Sequence, residues 1–186
     1  MKRVAAIAAA GLAVTGLTAC NDTTTGTAQP TTRNIDEIIV YNVCRDPGIS
    51  DRVLIDAGLD PTTKHVLTDP PTGVSSFRVC VWEPMDNRYG PTNYRVGVWS
   101  TSHTLEEERN KESVTILRDG TVNGRRALYF LESSDSAGDA CWLSFEAEQG
   151  MFIVDTRQLS DYGPDINDPC EIVTGYAAAL EPHLPQ

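Results

Sequence analysis

Cys20 is the residue whose surroundings most clearly predict chemistry. It ends the run Leu17-Thr18-Ala19-Cys20, in which aliphatic and small residues precede a cysteine. This pattern is typical of a bacterial lipobox, where the segment before the cysteine is cleaved and the thiol receives a diacylglycerol. An ordinary secretory signal followed by an incidental cysteine is the alternative.

The residues before Cys20 have the features of a signal peptide. Lys2 and Arg3 supply a basic start, and residues 4–16 form an uncharged apolar run that is too short to cross a bilayer comfortably. We therefore predict a signal peptide over residues 1–19. Fatty acyl chains such as palmitate, attached at Cys20, would then hold the protein on the membrane.

The other four cysteines, Cys44, Cys80, Cys141 and Cys170, predict disulfide bonds. An even number of cysteines in an exported chain favours pairing. Buried free thiols are less expected, and a zinc site less still, because no two of these cysteines have the close spacing of metal-binding pairs. Three connectivities are possible, and loop-closure entropy does not choose among them. We favour Cys44–Cys80 and Cys141–Cys170, since each would tie a helix start to a nearby strand.

No other group of residues forms a recognisable catalytic or metal-binding motif. His65, His103 and His183 fall in separate parts of the sequence, where we expect them to face solvent. Glu146, Glu148 and Asp155 flank a predicted hairpin, where opposed carboxylates could form a glycosidase pair, but acids on a strand more often mark the solvated side of a sheet. The sequence therefore predicts no catalytic residue, no metal site and no cofactor.

Aromatic residues give a weaker indication of a binding site. In the alternating segment 77–82, Trp82 is out of phase with the aliphatic residues and shares a side with Cys80. That side lies either under a helix or along a ligand groove. Core packing is favoured because tryptophan is generally well buried. A shallow groove lined by Trp82, Tyr94 and Trp99, suited to sugars or acyl chains, is the alternative.

The charge of the chain excludes two modes of binding. The 186 residues include 15 basic and 26 acidic side chains, which give a formal net charge of −11. Binding to nucleic acid depends on neutralising phosphates with Lys and Arg, so we expect no nucleic-acid partner. Anionic lipid headgroups would repel this chain. Membrane attachment is therefore expected to come from lipid alone.

Composition divides the chain into three parts. The signal peptide is followed by residues 20–34, which comprise the lipidated Cys20 and a Thr-rich stretch without large apolar residues. Such a stretch cannot bury enough surface to fold, and it predicts a disordered tether. Residues 35–186 have the length of one folded domain.

Local patterns predict an α+β domain with a mainly antiparallel sheet of about six strands. Helix signals occur at the N-terminus, in the middle and at the C-terminus of the domain, and Asn123-Gly124 indicates a hairpin. A polar loop is expected from Pro61 to Gly73. The predicted helices are 50–57, 105–112 and 169–180, and the predicted strands are 77–82, 94–99, 114–117, 127–131, 141–147 and 151–156.

Several short motifs follow one another in order. They are Cys44-Arg-Asp-Pro47, Cys80-Val-Trp82, Gly124-Arg125, Asp168-Pro-Cys170 and Leu184-Pro185. Together with the lipobox and the Thr-rich tether, this set resembles a family of actinobacterial lipoproteins classed as a domain of unknown function. The family tends to have Asp-Pro-Cys at the first cysteine, where this chain has Cys-Arg-Asp-Pro. The element order is also similar to the fold shared by Mog1 and the photosystem protein PsbP. The resemblance brings no activity and no catalytic residues.

These observations predict a non-enzymatic binding or accessory lipoprotein on the extracytoplasmic face of the cell membrane. The expected partner is an envelope glycan, lipid or protein. The alternative is a small envelope hydrolase, for which two titratable side chains should converge in one concave pocket.

Overall fold

The computed structural model describes residues 34, 37–45, 49–69, 77–89, 92–135, 139–159 and 168–186. Cys20, the predicted signal peptide and the tether up to residue 33 lie outside these residues. The described strands are β1 Leu59–Thr68, β2 Phe77–Pro84, β3 Tyr94–Thr101, β4 Val114–Val122, β5 Arg125–Glu132, β6 Ala140–Ala147 and β7 Gly150–Gln158. These seven strands form one antiparallel sheet in the order β1-β2-β3-β7-β6-β5-β4. The predicted α+β class and antiparallel sheet are confirmed, with seven strands where about six were expected.

Strand β1 is the element that the sequence analysis missed. The predicted polar loop from Pro61 is wrong, because residues up to Thr68 pair with β2. The strand lies at the edge of the sheet, and only Leu59 is buried, so no hydrophobic alternation marks it. Its register shifts between Asp60 and His65, and an edge strand with such an irregularity accommodates proline.

Three α-helices in the described part of the chain accompany the sheet, and each follows directly after the cap residue that the sequence predicts. Helix α1 is Asp51–Ala57, α2 is Leu105–Arg109 and α3 is Pro169–Leu180. Their N-caps are Ser50, Thr104 and Asp168, whose side chains accept hydrogen bonds from backbone N–H groups of the first turn. Helix α2 ends at Arg109, before the expected residue 112. None of the helices in the described ranges is long and apolar enough to span a bilayer.

The sheet has a helix-covered face and a second face, which hold separate cores. On the helix-covered face, Tyr176 and Leu180 of α3 and Leu54 of α1 join the inward residues of the strands in the larger core. The second face carries a smaller core that includes Phe130 and Ile153, with Leu105 of α2 packed against it. Helix α2 contacts β4, β5 and β6. Its contacts therefore lie toward the β4 edge of the second face.

Two disulfide bonds fasten the helix-covered side. Cys44 pairs with Cys80 of β2, with their Cα atoms 5.6 Å apart, and Cys141 of β6 pairs with Cys170 in the first turn of α3, with a Cα separation of 5.0 Å. These are the two pairs favoured from the sequence. The second bond joins a helix start to a strand, whereas the first joins the segment before α1 to β2.

Candidate functional site

A groove opens on the second face of the sheet, on strands β2, β3, β6 and β7. Its volume is about 350 Å³, which lies near the lower end of the range for small-molecule sites. Val81, Gly97, Trp99, Trp142 and Asp155 form its floor and walls. We call this cavity the Asp155 groove.

Strand register places four of these residues in one row across the sheet. Val81 of β2 lies opposite Gly97 of β3, Gly97 lies opposite Asp155 of β7, and Asp155 lies opposite Trp142 of β6. Side chains of directly opposed residues point to the same face. The row therefore juxtaposes an aliphatic side chain, a glycine, a carboxylate and an indole.

Gly97 makes room for the carboxylate at the centre of the row. A Cβ atom at this position would overlap the Asp155 carboxyl group and lie 3.0 Å from Nε1 of Trp99. A glycine inside a strand marks a close approach by another group, and here that group is the Asp155 side chain. The absence of a side chain at residue 97 is thus what allows the acid to lie flat on the floor of the groove.

Asp155 is buried, with 8% of the residue exposed. The Trp99 indole N–H donates a hydrogen bond of 2.5 Å to its Oδ1 atom. Burial raises the pKa of Asp155 to about 6, an effect that the Trp99 hydrogen bond and the charge of Arg157 partly oppose and that Asp135 reinforces. Among the described residues Trp99 is its one hydrogen-bond donor, so Oδ2 is available to a donor on a ligand.

Two arginines stand at one side of the groove. Arg95 of β3 and Arg157 of β7 are directly opposed, and their side chains are 49% and 52% exposed. Like charges in opposed positions are unfavourable, and each guanidinium has a carboxylate nearby: Glu83 lies 3.5 Å from Arg95, and Asp135 lies 2.8 Å from Arg157. The groove therefore has a cationic side.

Apolar groups form the other sides. The Trp99 and Trp142 rings are 5.2 Å apart and tilted by 55°. Trp142 is held in place by its indole N–H, which donates to Asp135 at 2.7 Å. Leu67 and Leu159 line the mouth of the groove, and they are 54% and 45% exposed. A ligand that covered these two leucines would remove apolar surface from water.

The favoured core packing of Trp82 is confirmed, and the alternative aromatic groove is wrong at two of its three residues. Trp82 is 1% exposed and Tyr94 is fully buried, and both belong to the core on the helix-covered face. The Tyr94 hydroxyl pairs with that of Tyr176 at 3.1 Å. Trp99 does line a groove, but on the opposite face, because residues 94 and 99 are an odd number of positions apart on β3.

Sequence reasoning also missed Asp155, which was expected on the solvated side of the sheet. Two signals pointed to a buried site. Asp155 shares the strand phase of Ile153, which is 4% exposed. Gly97 interrupts an otherwise apolar strand, and an isolated glycine in a strand indicates a close approach. Neither residue alone shows that the two are opposed.

Asp155 is the only acid that lines the groove in the described part of the chain. Glu146, the acid considered as its partner, pairs instead with Arg126, whose Nε lies 2.9 Å from Oε2. His65 and His183 are exposed, and His103 packs against Phe77, so the described structure does not bring the three histidines together. Within the described ranges no three His, Cys, Asp or Glu side chains are grouped to hold a metal ion.

Fold and groove together define a disulfide-bonded α+β domain with one sheet face closed by helices and a ligand-sized groove on the other. Residues 15–183 match the family DUF3558, described as a protein of unknown function, and the chain belongs to this family. The predicted membership of a family of unknown function is confirmed. No curated protein and no solved structure matches the chain, so the similarity to the Mog1 and PsbP fold stays a prediction.

Proposed function

We propose that this protein is a lipoprotein anchored on the extracytoplasmic face of the cell membrane, and that it binds an envelope molecule in the Asp155 groove without transforming it. The observation that carries the proposal is the buried carboxylate of Asp155, seated over Gly97 in a cavity walled by two tryptophans. A buried acid is costly to folding, so its retention in an accessible cavity favours a binding role.

The cysteine pairing supports the anchoring part of the proposal. Four of the five cysteines form disulfides, which are typical of proteins outside the reducing cytosol. The remaining cysteine is Cys20, at the end of the lipobox pattern. An exported protein with one unpaired thiol at this position has that thiol available for lipid attachment.

Replacement of Cys20 by Ser is expected to release the protein from the membrane into the medium. The reason is that the acidic chain has no other evident means of holding an anionic bilayer. The measurement is the distribution of protein between membrane and medium, with intact mass to detect the acyl groups. Thr23→Ser, three residues away, is the matched control and should stay on the membrane. Retention of the Cys20→Ser protein on the membrane would contradict the anchor.

Wild-type protein extracted gently from its native membrane is expected to carry a bound molecule that native mass spectrometry detects. Leu159→Glu places a charge at the mouth of the groove, and Gly97→Ala displaces Asp155, so both variants should lose this molecule. Leu117→Glu is the matched control, because Leu117 on β4 has the same 45% exposure as Leu159 and does not line the groove. Unfolding curves verify that each variant is folded.

The binding proposal fails if the wild type carries no molecule, or if Leu159→Glu and Gly97→Ala keep it as well as Leu117→Glu does. A hydrolase is the second candidate: the raised pKa of Asp155 suits a general acid near neutral pH, but no second acid and no histidine of the described residues lines the groove, so the convergent pair expected of a hydrolase is not met. Progressive cleavage of the bound molecule by the wild type, abolished in Asp155→Asn, would establish that alternative.

A further inference from the structure

The chemistry of the groove narrows the class of ligand, given the proposed binding function. Its cationic side consists of Arg95 and Arg157, opposed on neighbouring strands. A guanidinium has five N–H donors, and the contacts to Glu83 and Asp135 leave others available on each arginine. Arg95 reaches toward Glu83 of β2, and Arg157 reaches toward Asp135 and the Trp142 ring of β6. A phosphate between the two arginines would take the donors that these partners leave, because Arg–phosphate pairs form charge-assisted hydrogen bonds.

The apolar side of the groove is suited to one hydrocarbon chain. Trp99, Trp142 and Val81 form its walls, and the exposed Leu67 extends it outward, whereas Leu159 lies at the mouth beyond Arg157. A volume of about 350 Å³ is small for a lipid binding site, which favours a single chain over two. A neutral sugar would leave the exposed leucines uncovered and make no use of the charge on the arginines.

Asp155 lies between these two sides, one row along the sheet from the arginine pair. Successive residues on the same face of a strand are about 7 Å apart, so a group near the head of the ligand reaches the carboxylate. An ionised carboxylate only accepts hydrogen bonds, and Oδ2 has no donor among the described residues. The ligand therefore needs a hydroxyl close to its phosphate.

We infer that the Asp155 groove binds a single-chain lipid with a phosphate head and a neighbouring hydroxyl. The phosphate lies between Arg95 and Arg157, the hydroxyl donates to Asp155, and the chain runs over Trp99 toward Leu67. Because the whole chain carries a net charge of −11, long-range repulsion opposes an anionic ligand, and the local arginine pair must supply the selectivity.

Tryptophan fluorescence tests this inference with 1-lauroyl-lysophosphatidic acid, titrated below its micelle concentration into full-length protein that carries Cys20→Ser. Three comparison ligands separate its parts: dodecyl phosphate lacks the hydroxyl, monolaurin lacks the phosphate and glycerol 3-phosphate lacks the chain. We expect lysophosphatidic acid to bind most tightly, with each comparison ligand about tenfold weaker or more. The advantage over dodecyl phosphate should disappear in Asp155→Ala.

Arginine variants test the placement of the phosphate. Arg95→Gln and Arg157→Gln should each weaken binding of lysophosphatidic acid by about tenfold or more. They should leave binding of monolaurin nearly unchanged. Arg52→Gln removes the same charge from α1, at an 81% exposed side chain, and is the matched control.

Three results would overturn the assigned ligand class. The first is that monolaurin or a neutral glycan binds as tightly as lysophosphatidic acid. The second is that lysophosphatidic acid does not bind. The third is that Arg95→Gln weakens the binding of lysophosphatidic acid no more than Arg52→Gln does. If the native molecule is nevertheless lost from Leu159→Glu, the groove remains a binding site and only the ligand class is wrong. If the native molecule is also kept by that variant, the proposed function fails as well.

Discussion

Replacing Arg125 by Met is expected to lower the free energy of unfolding by about 3–5 kcal/mol, the cost of leaving a buried charge without its partner. The Arg125 and Glu181 side chains are 8% and 7% exposed, and Arg125 Nε lies 2.5 Å from Glu181 Oε1. Without the arginine, Glu181 keeps only the neutral amide of Asn123, at 2.9 Å, as its side-chain partner among the described residues.

The same guanidinium also holds the C-terminal residues against the sheet. It donates to the backbone carbonyls of Leu184 at 3.0 Å, Pro185 at 2.6 Å and Glu146 at 3.3 Å. Two motifs that carried the family resemblance, Gly124-Arg125 and Leu184-Pro185, are therefore in direct contact. Arg125→Lys should rescue only part of the loss, because an ammonium cannot reproduce the planar fork of donors.

Chemical denaturation of the oxidised protein measures the effect, with Arg126→Met as the matched control. Arg126 is the next residue along the chain, and it forms a solvent-exposed pair with Glu146. We expect this control to stay close to wild type because exposed pairs contribute little. The double variant Arg125→Met/Glu181→Leu should recover part of the loss, since neither charge is then buried alone. Equal stabilities of the two single variants would show that Arg125 does not hold the C-terminal segment.

Local signals predicted most of the helices and hairpins because their causes are local. Asp168 caps α3 through its carboxylate, which accepts from the N–H groups of Cys170 and Glu171, and Pro169 fits the first helical position. The hairpin at Asn123-Gly124 has φ values of 48° and 96°, which this residue pair adopts readily. Each of these features depends on a few neighbouring residues, so sequence alone suffices.

The groove depends on which strands become neighbours, and local patterns do not supply that. Gly97 and Asp155 are separated by 58 positions, and they meet because β7 inserts beside β3 in the middle of the sheet. Pairing each strand only with its neighbour in the sequence would place β7 beside β6 alone. The alternative aromatic groove fails for a related reason: it put Trp82 and Trp99 on one face, but the phase of each strand relative to the helices follows only from tertiary packing.

Replacing Asp155 by Asn is expected to raise the free energy of unfolding at pH 7.5 by about 3 kcal/mol. Burial raises the pKa of Asp155 from 3.8 to about 6, and each pKa unit corresponds to about 1.4 kcal/mol. Between these two values the folded state binds more protons than the unfolded state, so wild-type stability falls as pH rises through this window. Asn has nearly the same shape and no charge, and its Oδ1 can still accept from Trp99.

The difference between Asp155→Asn and wild type should therefore be largest above pH 7 and vanish below about pH 3, where the wild-type carboxyl is neutral in both states. Urea denaturation at a series of pH values measures it, and Asp119→Asn, at a 75% exposed side chain on β4, is the matched control without this pH profile. If Asp155→Asn were less stable than wild type at pH 7.5, the acid would be a structural anchor. If it were more stable and yet failed to bind the native molecule, the protein would be retaining a destabilising charge for the ligand, as the groove geometry implies.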